Sequence, residues 1–249
     1  MTIHYGFEDI PQGVNTVVTI GSFDGVHSGH RVLLSAVKSM AERLGARSVV
    51  VTFDPHPRIA MGRAEGMGLL TTIEERALLL EREGVDYMVV ARFDDKFRSQ
   101  SYDSFVRESL VAKLGMVGMI VGYNHRLGRG NEGNYDSLKP LATECGFELE
   151  RVSQHLVEES KVSSTVVREA MQCGDMREVS RLIGGRYLIL GDAVAGFVEI
   201  ADNHKLLPSS GMYDAILTYN NISCSTKIEI VGRSVVLPLN IYGRVTIEL

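Results

Sequence analysis

The chain has 249 residues, 45% of them hydrophobic, and a formal net charge of −5, so it is expected to form an ordinary globular protein of one large or two modest domains with neither nucleic acid nor an anionic membrane as partner. Cys145, Cys173 and Cys224 are odd in number and lack a short metal-type spacing, which argues against a disulfide scaffold and for a reducing compartment. Residues 1–12 lack a basic segment followed by an apolar run, and no window approaches the roughly 20 apolar residues of a membrane helix, so a cytoplasmic protein without a secretory leader is expected.

Thr16 to Ile20 is short and β-branched, as a buried parallel strand should be. From about His30 to Leu44, apolar residues recur at a helical period at Val32, Leu33, Ala36, Val37, Met40 and Leu44, and Gly45 ends the run. Then follow Val49 to Phe53 (strand), Thr72 to Glu83 (helix), Tyr87 to Ala91 (strand) and Asp103 to Leu114 (helix). Met119 to Gly122 (strand), Tyr135 to Cys145 (helix) and Glu148 to Val152 (strand) complete the alternation. Such a series predicts an α/β fold, a Rossmann-like parallel sheet covered by helices on both faces, with its site beyond the carboxyl ends of the strands. Two more helices are expected at Thr165 to Cys173 and Met176 to Ile183. After Tyr187 the runs become β-branched and are separated by Asn, Gly and Pro, which predicts a small antiparallel β-barrel-like domain. The expected division is residues 1–186 and 187–249.

The strongest chemical signal is Gly21-Ser22-Phe23-Asp24-Gly25-Val26-His27-Ser28-Gly29-His30, between the first of these strands and the first helix. Gly21 and Gly25 allow the backbone to turn sharply and approach a ligand, and Gly29 removes a side chain where an anion would meet the helix N-terminus. His27 and His30 can both point at one triphosphate, although a His-x-x-His pair can also hold a metal or cap a helix. A second signal is Lys161-Val162-Ser163-Ser164-Thr165-Val166-Val167-Arg168. Its three hydroxyls read either as an N-cap with spare groups or, beside Arg168, as a second grip on phosphate.

The first loop resembles the signature of the nucleotidyltransferase superfamily with a His-x-Gly-His loop. Phe53-Asp54-Pro55-His56-Pro57, Leu70-Thr71-Thr72, Gly122-Tyr123-Asn124-His125-Arg126-Leu127-Gly128-Arg129-Gly130 and the Ser-Ser-Thr-x-x-Arg stretch narrow the match. Together, over roughly residues 14 to 187, they resemble the FMN adenylyltransferase domain of the bacterial bifunctional riboflavin kinase/FAD synthetases. The resemblance implies transfer of AMP from ATP, with its Mg²⁺, to FMN, giving FAD and pyrophosphate. It assigns His27, His30 and Arg168 to catalysis. It assigns Gly21, Phe23, Asp24, Gly25, Gly29, Asn124, Arg126, Ser163, Ser164 and Thr165 to ATP, and Asp54, Pro55 and His56 to the flavin side. No residue is assigned to hold a metal directly. Leu127 stands where many relatives have Phe, and Arg126 and Arg129 read equally well as solvated loop charges.

By the same resemblance, the tail is a reduced riboflavin kinase barrel. Gly191-Asp192-Ala193-Val194-Ala195-Gly196 and Lys205-Leu206-Leu207-Pro208-Ser209-Ser210-Gly211-Met212-Tyr213 match it, but the Gly-x-Pro-Thr-Ala-Asn segment that binds MgATP is missing between them. The sequence also ends at Leu249, before the helix that follows the barrel in the family, and Glu229 is a weak candidate for the kinase carboxylate. Kinase activity is therefore expected to be lost. The competing readings are an adenylyltransferase for another phosphorylated acceptor and a flavin- or nucleotide-binding protein without turnover.

Overall fold

Five β-branched or apolar residues in a row do not alternate, and in the structure Thr16–Ile20 (β2) is buried at every position, as a central strand covered on both faces must be. The structure, a computed structural model, describes residues 1–8, 10–11, 13–64, 66–153 and 162–249. β2 lies in a six-stranded sheet with β1 (Thr2–Tyr5), β3 (Arg47–Asp54), β4 (Tyr87–Arg92), β5 (Met116–Val121) and β6 (Glu148–Arg151). The order is β1-β4-β3-β2-β5-β6, and every pairing is parallel. Edge strand β1 escaped the sequence reading because three of its four residues are exposed and carry no buried apolar run.

Helices α1 (Ser28–Leu44), α2 (Ile73–Arg82) and α3 (Tyr135–Cys145) match the predicted periodic runs. On one face of the sheet Val17, Ile120 and Val152 pack with Val37, Met40 and Ala41 of α1. On the other, Val18, Ile20, Val49, Val51, Val89 and Met119 pack with Leu110, Leu114, Leu138 and Leu141. The strand period of two thus sends neighbouring residues to opposite cores. Gly45 ends α1 at φ +61°, and Asn134 opens α3 with a capping box that Gly146 closes at the far end in the left-handed conformation. The helix expected over Asp103 to Leu114 is instead a short α-turn, Tyr102–Ser104, running into a π-helix, Phe105–Val111.

Residues 24–28, 66–76 and 162–249 form a compact unit separate from the sheet. The compact units therefore do not part at residues 186 and 187. The apolar stripes of α4 (Ser164–Gln172) and α5 (Met176–Ile183) are the reason: Val167, Met171, Val179, Leu182 and Ile183 share one core with Ile189, Ala193, Leu217, Ile228, Ile230, Val245 and Ile247. The latter residues belong to a closed antiparallel barrel of β7 (Leu188–Val194), β8 (Phe197–Glu199), β9 (Gly211–Tyr219), β10 (Ile222–Val231), β11 (Ser234–Val236) and β12 (Gly243–Glu248). Its order is β10-β11-β8-β7-β12-β9, so closure leaves no free edge. Asn220 and Asn221, at φ 49° and 63°, make the two-residue turn between β9 and β10, a conformation that asparagine tolerates better than most residues.

A fully buried ion pair fastens segment 66–76 to this barrel. Lys205 Nζ donates to Glu75 Oε2 at 2.7 Å, to the Leu70 carbonyl at 2.8 Å and to the Leu188 carbonyl at 2.7 Å. Glu75 in turn accepts from Leu190 N at 2.9 Å and Thr72 N at 2.8 Å, and the ammonium stands 4.2 Å from the Tyr187 ring centroid. Burial pushes the Lys205 ammonium below its usual pKa, while Glu75 opposes the shift. Each partner is tolerable inside only because the other is there. Lys205→Met should therefore cost about 3–5 kcal/mol in urea unfolding, and Glu75→Gln with Lys205→Met together should cost less than Lys205→Met alone. A double variant no more stable than Lys205→Met would contradict this account of the pair.

Candidate functional site

The loop that leaves β2 is held in an uncommon backbone conformation. Phe23 and Val26 have φ of 46° and 39°, in the left-handed region that a β-branched residue rarely enters, and both are almost completely buried. Such a geometry persists only where surrounding packing over-determines it. At Gly25, with φ +86°, an added Cβ would meet Leu70 Cδ1 at 2.8 Å. The glycine is therefore required here by both backbone angle and space.

In the barrel-bearing unit, Asp24 organises this loop. Its carboxylate, 1% exposed, accepts from Leu70 N at 3.2 Å, Thr71 N at 2.9 Å, Thr71 Oγ1 at 3.1 Å and Arg168 Nη2 at 2.5 Å. Arg168 Nε also donates to the Gly68 carbonyl at 2.7 Å, and Ser164 Oγ to the Asp24 carbonyl at 2.9 Å. Leu70 and Thr71 thus bind the loop at Asp24, as do Ser164 and Arg168 of the Ser-Ser-Thr-x-x-Arg stretch. Within that stretch Ser163 is the N-cap of α4, Ser164 is tied to the loop and Thr165 is exposed. Lys161 lies outside the described residues. Arg168 is directed at Asp24, so its charge is already paired in this structure.

His27 is buried, and desolvation lowers its pKa to about 4; Asp24 opposes the shift and Arg168 adds to it. At neutral pH it is an uncharged imidazole, able to give one N–H hydrogen bond and to accept another.

The sheet-bearing unit contains His30, whose ring lies 4.7 Å from that of Phe23, and buried Gly29 in the first turn of α1. This unit also holds a cavity of about 760 Å³. Gly21 and Ser22 line it after β2, Phe53 at the end of β3, Phe93 after β4, and His125 to Asn131 after β5. The chain winds outward from β2 through β3 to β4, then crosses to β5 on the other side of β2. The cavity accordingly lies at the carboxyl ends of strands around the point where winding reverses, where sheets of this kind bind ligands.

Its apolar wall is a chain of rings: Phe53–Phe93 at 5.5 Å, Phe53–Phe97 at 5.6 Å and Phe97–Phe105 at 5.2 Å between centroids. Four arginines, Arg63, Arg98, Arg126 and Arg129, line it against one carboxylate, Asp95, which is paired with Arg98. This balance favours an anionic ligand with a flat apolar body. Arg126 and Arg129 are exposed, yet both belong to the lining. Asn124 is exposed in the preceding turn and is not part of the lining. From the Asp-Pro-His-Pro word the lining residue is Pro57, joined by Phe53 just before it. Asp54 and Pro55 are exposed, and His56 caps the helical turn Pro57–Ala60, its Nδ1 accepting from Arg58 N at 3.2 Å. The structure therefore does not bring Asp54, Pro55 and His56 into the cavity wall. Phe93, Phe97 and Phe105 escape the sequence reading, because they come from just after β4, the short helix Asp95–Ser99 and the start of the π-helix, and only Phe93 and Phe97 have a helix-like spacing.

A parallel sheet with this loop at its switch point, accompanied by a closed β-barrel, defines a nucleotidyltransferase-like α/β protein. The chain belongs to the FAD synthetase family, whose model matches residues 10–166. It is 33% identical over 184 residues to the bifunctional riboflavin kinase/FMN adenylyltransferase of Listeria monocytogenes, covering 74% of this chain and 58% of that protein. The protein of the same description from Escherichia coli K12 is 32% identical over 180 residues, covering 72% and 58%. The chain thus spans less than two thirds of these relatives. The crystal structure of a macrolide-efflux protein from Streptococcus pneumoniae matches with a TM-score of 0.82 at 24% identity, over 100% of this chain and 97% of that one, a likeness of fold. Among the described residues no helix is long and apolar enough to cross a membrane.

The lowered pKa of His27 gives a signed prediction. Folding favours the neutral ring, so its contribution is fully present above the unfolded pKa of 6.5 and is lost as pH falls from 6.5 toward about 4. The stability difference between wild type and His27→Gln should therefore shrink over that window, by at most about 1.4 kcal/mol per pH unit. Urea unfolding at a series of pH values measures it, and a difference that stays constant would contradict the assigned burial.

Proposed function

We propose that this protein makes FAD by transferring the AMP of ATP to FMN, with release of pyrophosphate. The observation that carries the reading is the cavity at the sheet's switch point in a member of the FAD synthetase family, walled by phenylalanines and lined by four arginines. Its aromatic wall suits the flavin ring system, and its arginines suit the FMN phosphate. The names of the relatives support the same substrates.

An oxygen of the FMN phosphate, already ionised at neutral pH, attacks the α-phosphorus of ATP in line. The new P–O bond joins the two phosphates, the bond to the β-phosphate breaks, and pyrophosphate carries away the electron pair. No general base is needed, so the chain's contribution is position and electrostatics. His27 acts as a neutral hydrogen-bond donor to the triphosphate rather than as a cation, and His30 and the loop backbone from Gly21 through Phe23, Gly25 and Gly29 share the task. Asn124, Arg126, Ser163 and Thr165 supply further contacts to ATP. Asp24, Ser164 and Arg168 serve as positioning residues, since their bonds are with one another and with the loop. Mg²⁺ arrives as part of the MgATP substrate, as an oxygen-rich triphosphate favours.

The proposal extends to loss of riboflavin kinase activity. β7 and β8 are joined by Ala195 and Gly196 alone, a tight turn that leaves no room there for a phosphate-binding loop. The barrel then serves as support, because its unit also holds the Asp24 cluster.

Purified protein with MgATP and FMN should yield FAD, resolved by chromatography, while riboflavin in place of FMN should yield neither FMN nor FAD. His27→Ala and His30→Ala should each lower turnover about 100- to 1000-fold, the usual effect of removing a positioned donor. Full turnover in both variants would remove the histidines from the mechanism, and product from riboflavin would restore the kinase.

A further inference from the structure

His125 stands apart from the other cavity-lining residues. It sits just after β5, where its backbone N–H donates to the Gly122 carbonyl at 3.1 Å and fixes the turn. Its side-chain Nε2 is shielded from solvent and has no hydrogen-bond partner in the protein. Among the described residues that line the cavity, it is the one with a buried side-chain polar atom in that condition. A buried polar group left unsatisfied is unfavourable, and natural structures retain few of them, so each calls for a physical reason.

We infer that His125 is a specificity residue that hydrogen-bonds through Nε2 to a polar atom on the edge of the substrate's planar ring system. The inference rests on the reading that the cavity accepts FMN, and it names how the ring is recognised. The phenylalanine wall holds any flat apolar body without regard to the atoms on its rim, and the arginines hold anions. Neither tells one heteroaromatic ring from another. A buried imidazole does, because a ring that lacks the matching donor or acceptor leaves Nε2 as unsatisfied as it is among the protein's own atoms. Desolvation lowers the His125 pKa to about 4, so near neutrality the group is uncharged and matched to a neutral ring atom rather than to phosphate. The neutral ring can offer either an N–H or a lone pair, and the flavin edge carries both kinds of partner.

The test compares wild type and His125→Phe in steady-state FAD synthesis and in equilibrium binding, with FMN, 5-deaza-FMN and N3-methyl-FMN as probes. Each analogue alters one polar position of the ring edge. His125→Phe should raise the KM for FMN about tenfold, the factor of one hydrogen bond of about 1.4 kcal/mol, with kcat and the KM for ATP within about twofold of wild type. Wild type should bind one analogue about tenfold more weakly than FMN, and His125→Phe should bind that analogue and FMN alike. An unchanged KM for FMN in His125→Phe, or the same discrimination in both proteins, overturns the role. Should His125→Phe not fold, as its urea curve would reveal, wild type alone decides, since equal binding of FMN and both analogues also overturns it. Wild type that makes no FAD fails the parent reading instead, and does so before any variant is compared.

Discussion

The buried carboxylate of Asp24 is the constraint on which the proposed chemistry depends. A carboxylate that is 1% exposed needs hydrogen-bond partners inside the protein, and its donors come from Leu70, Thr71 and Arg168. Three pieces of chain distant in sequence are thereby fixed at one point. The result is a loop whose Phe23 and Val26 stay in a conformation they would not hold alone. His27 follows from the same packing: with Asp24 and Arg168 already paired beside it, burial dominates and leaves the imidazole neutral.

The barrel acquires a purpose in this light. Its core includes the apolar stripes of α4 and α5, and α4 delivers Arg168 and Ser164. Lys205 and Glu75 fix the start of α2 to the barrel wall, close in sequence to the Leu70-Thr71 donors. The barrel thus holds in place the residues that bind the loop. In the sheet-bearing unit the division of labour differs: strand ends supply Gly21, Phe53, Phe93 and His125, and the loops beyond them add the arginines.

Much of this was legible in the sequence because it depends on local period and on short words. The β-branched runs, the helical spacing in α1 and α3, and the glycine- and histidine-bearing loop all follow from neighbours a few residues apart. What was not legible depends on distant partners. The pairing of Arg168 with Asp24 joins residues 144 positions apart, which no local word reveals. The Asp-Pro-His-Pro word does not announce that His56 Nδ1 caps the turn that follows it. The phenylalanine wall joins residues about 50 positions apart, from Phe53 to Phe105, and no spacing rule connects them. The short strand β1 and the π-helical turn at Phe105–Val111 escaped for a related reason, since neither leaves a clean period of two or 3.6.

The central claim is that AMP, not a terminal phosphoryl group, passes from ATP to the flavin, and isotopic labelling tests it most directly. The protein would be given FMN with ATP labelled at either the α- or the γ-phosphorus, and the separated products counted. The account predicts that the α-label appears in FAD and the γ-label in pyrophosphate alone. Label from the γ-position in any flavin, or no α-label in FAD while ATP is consumed, would contradict it.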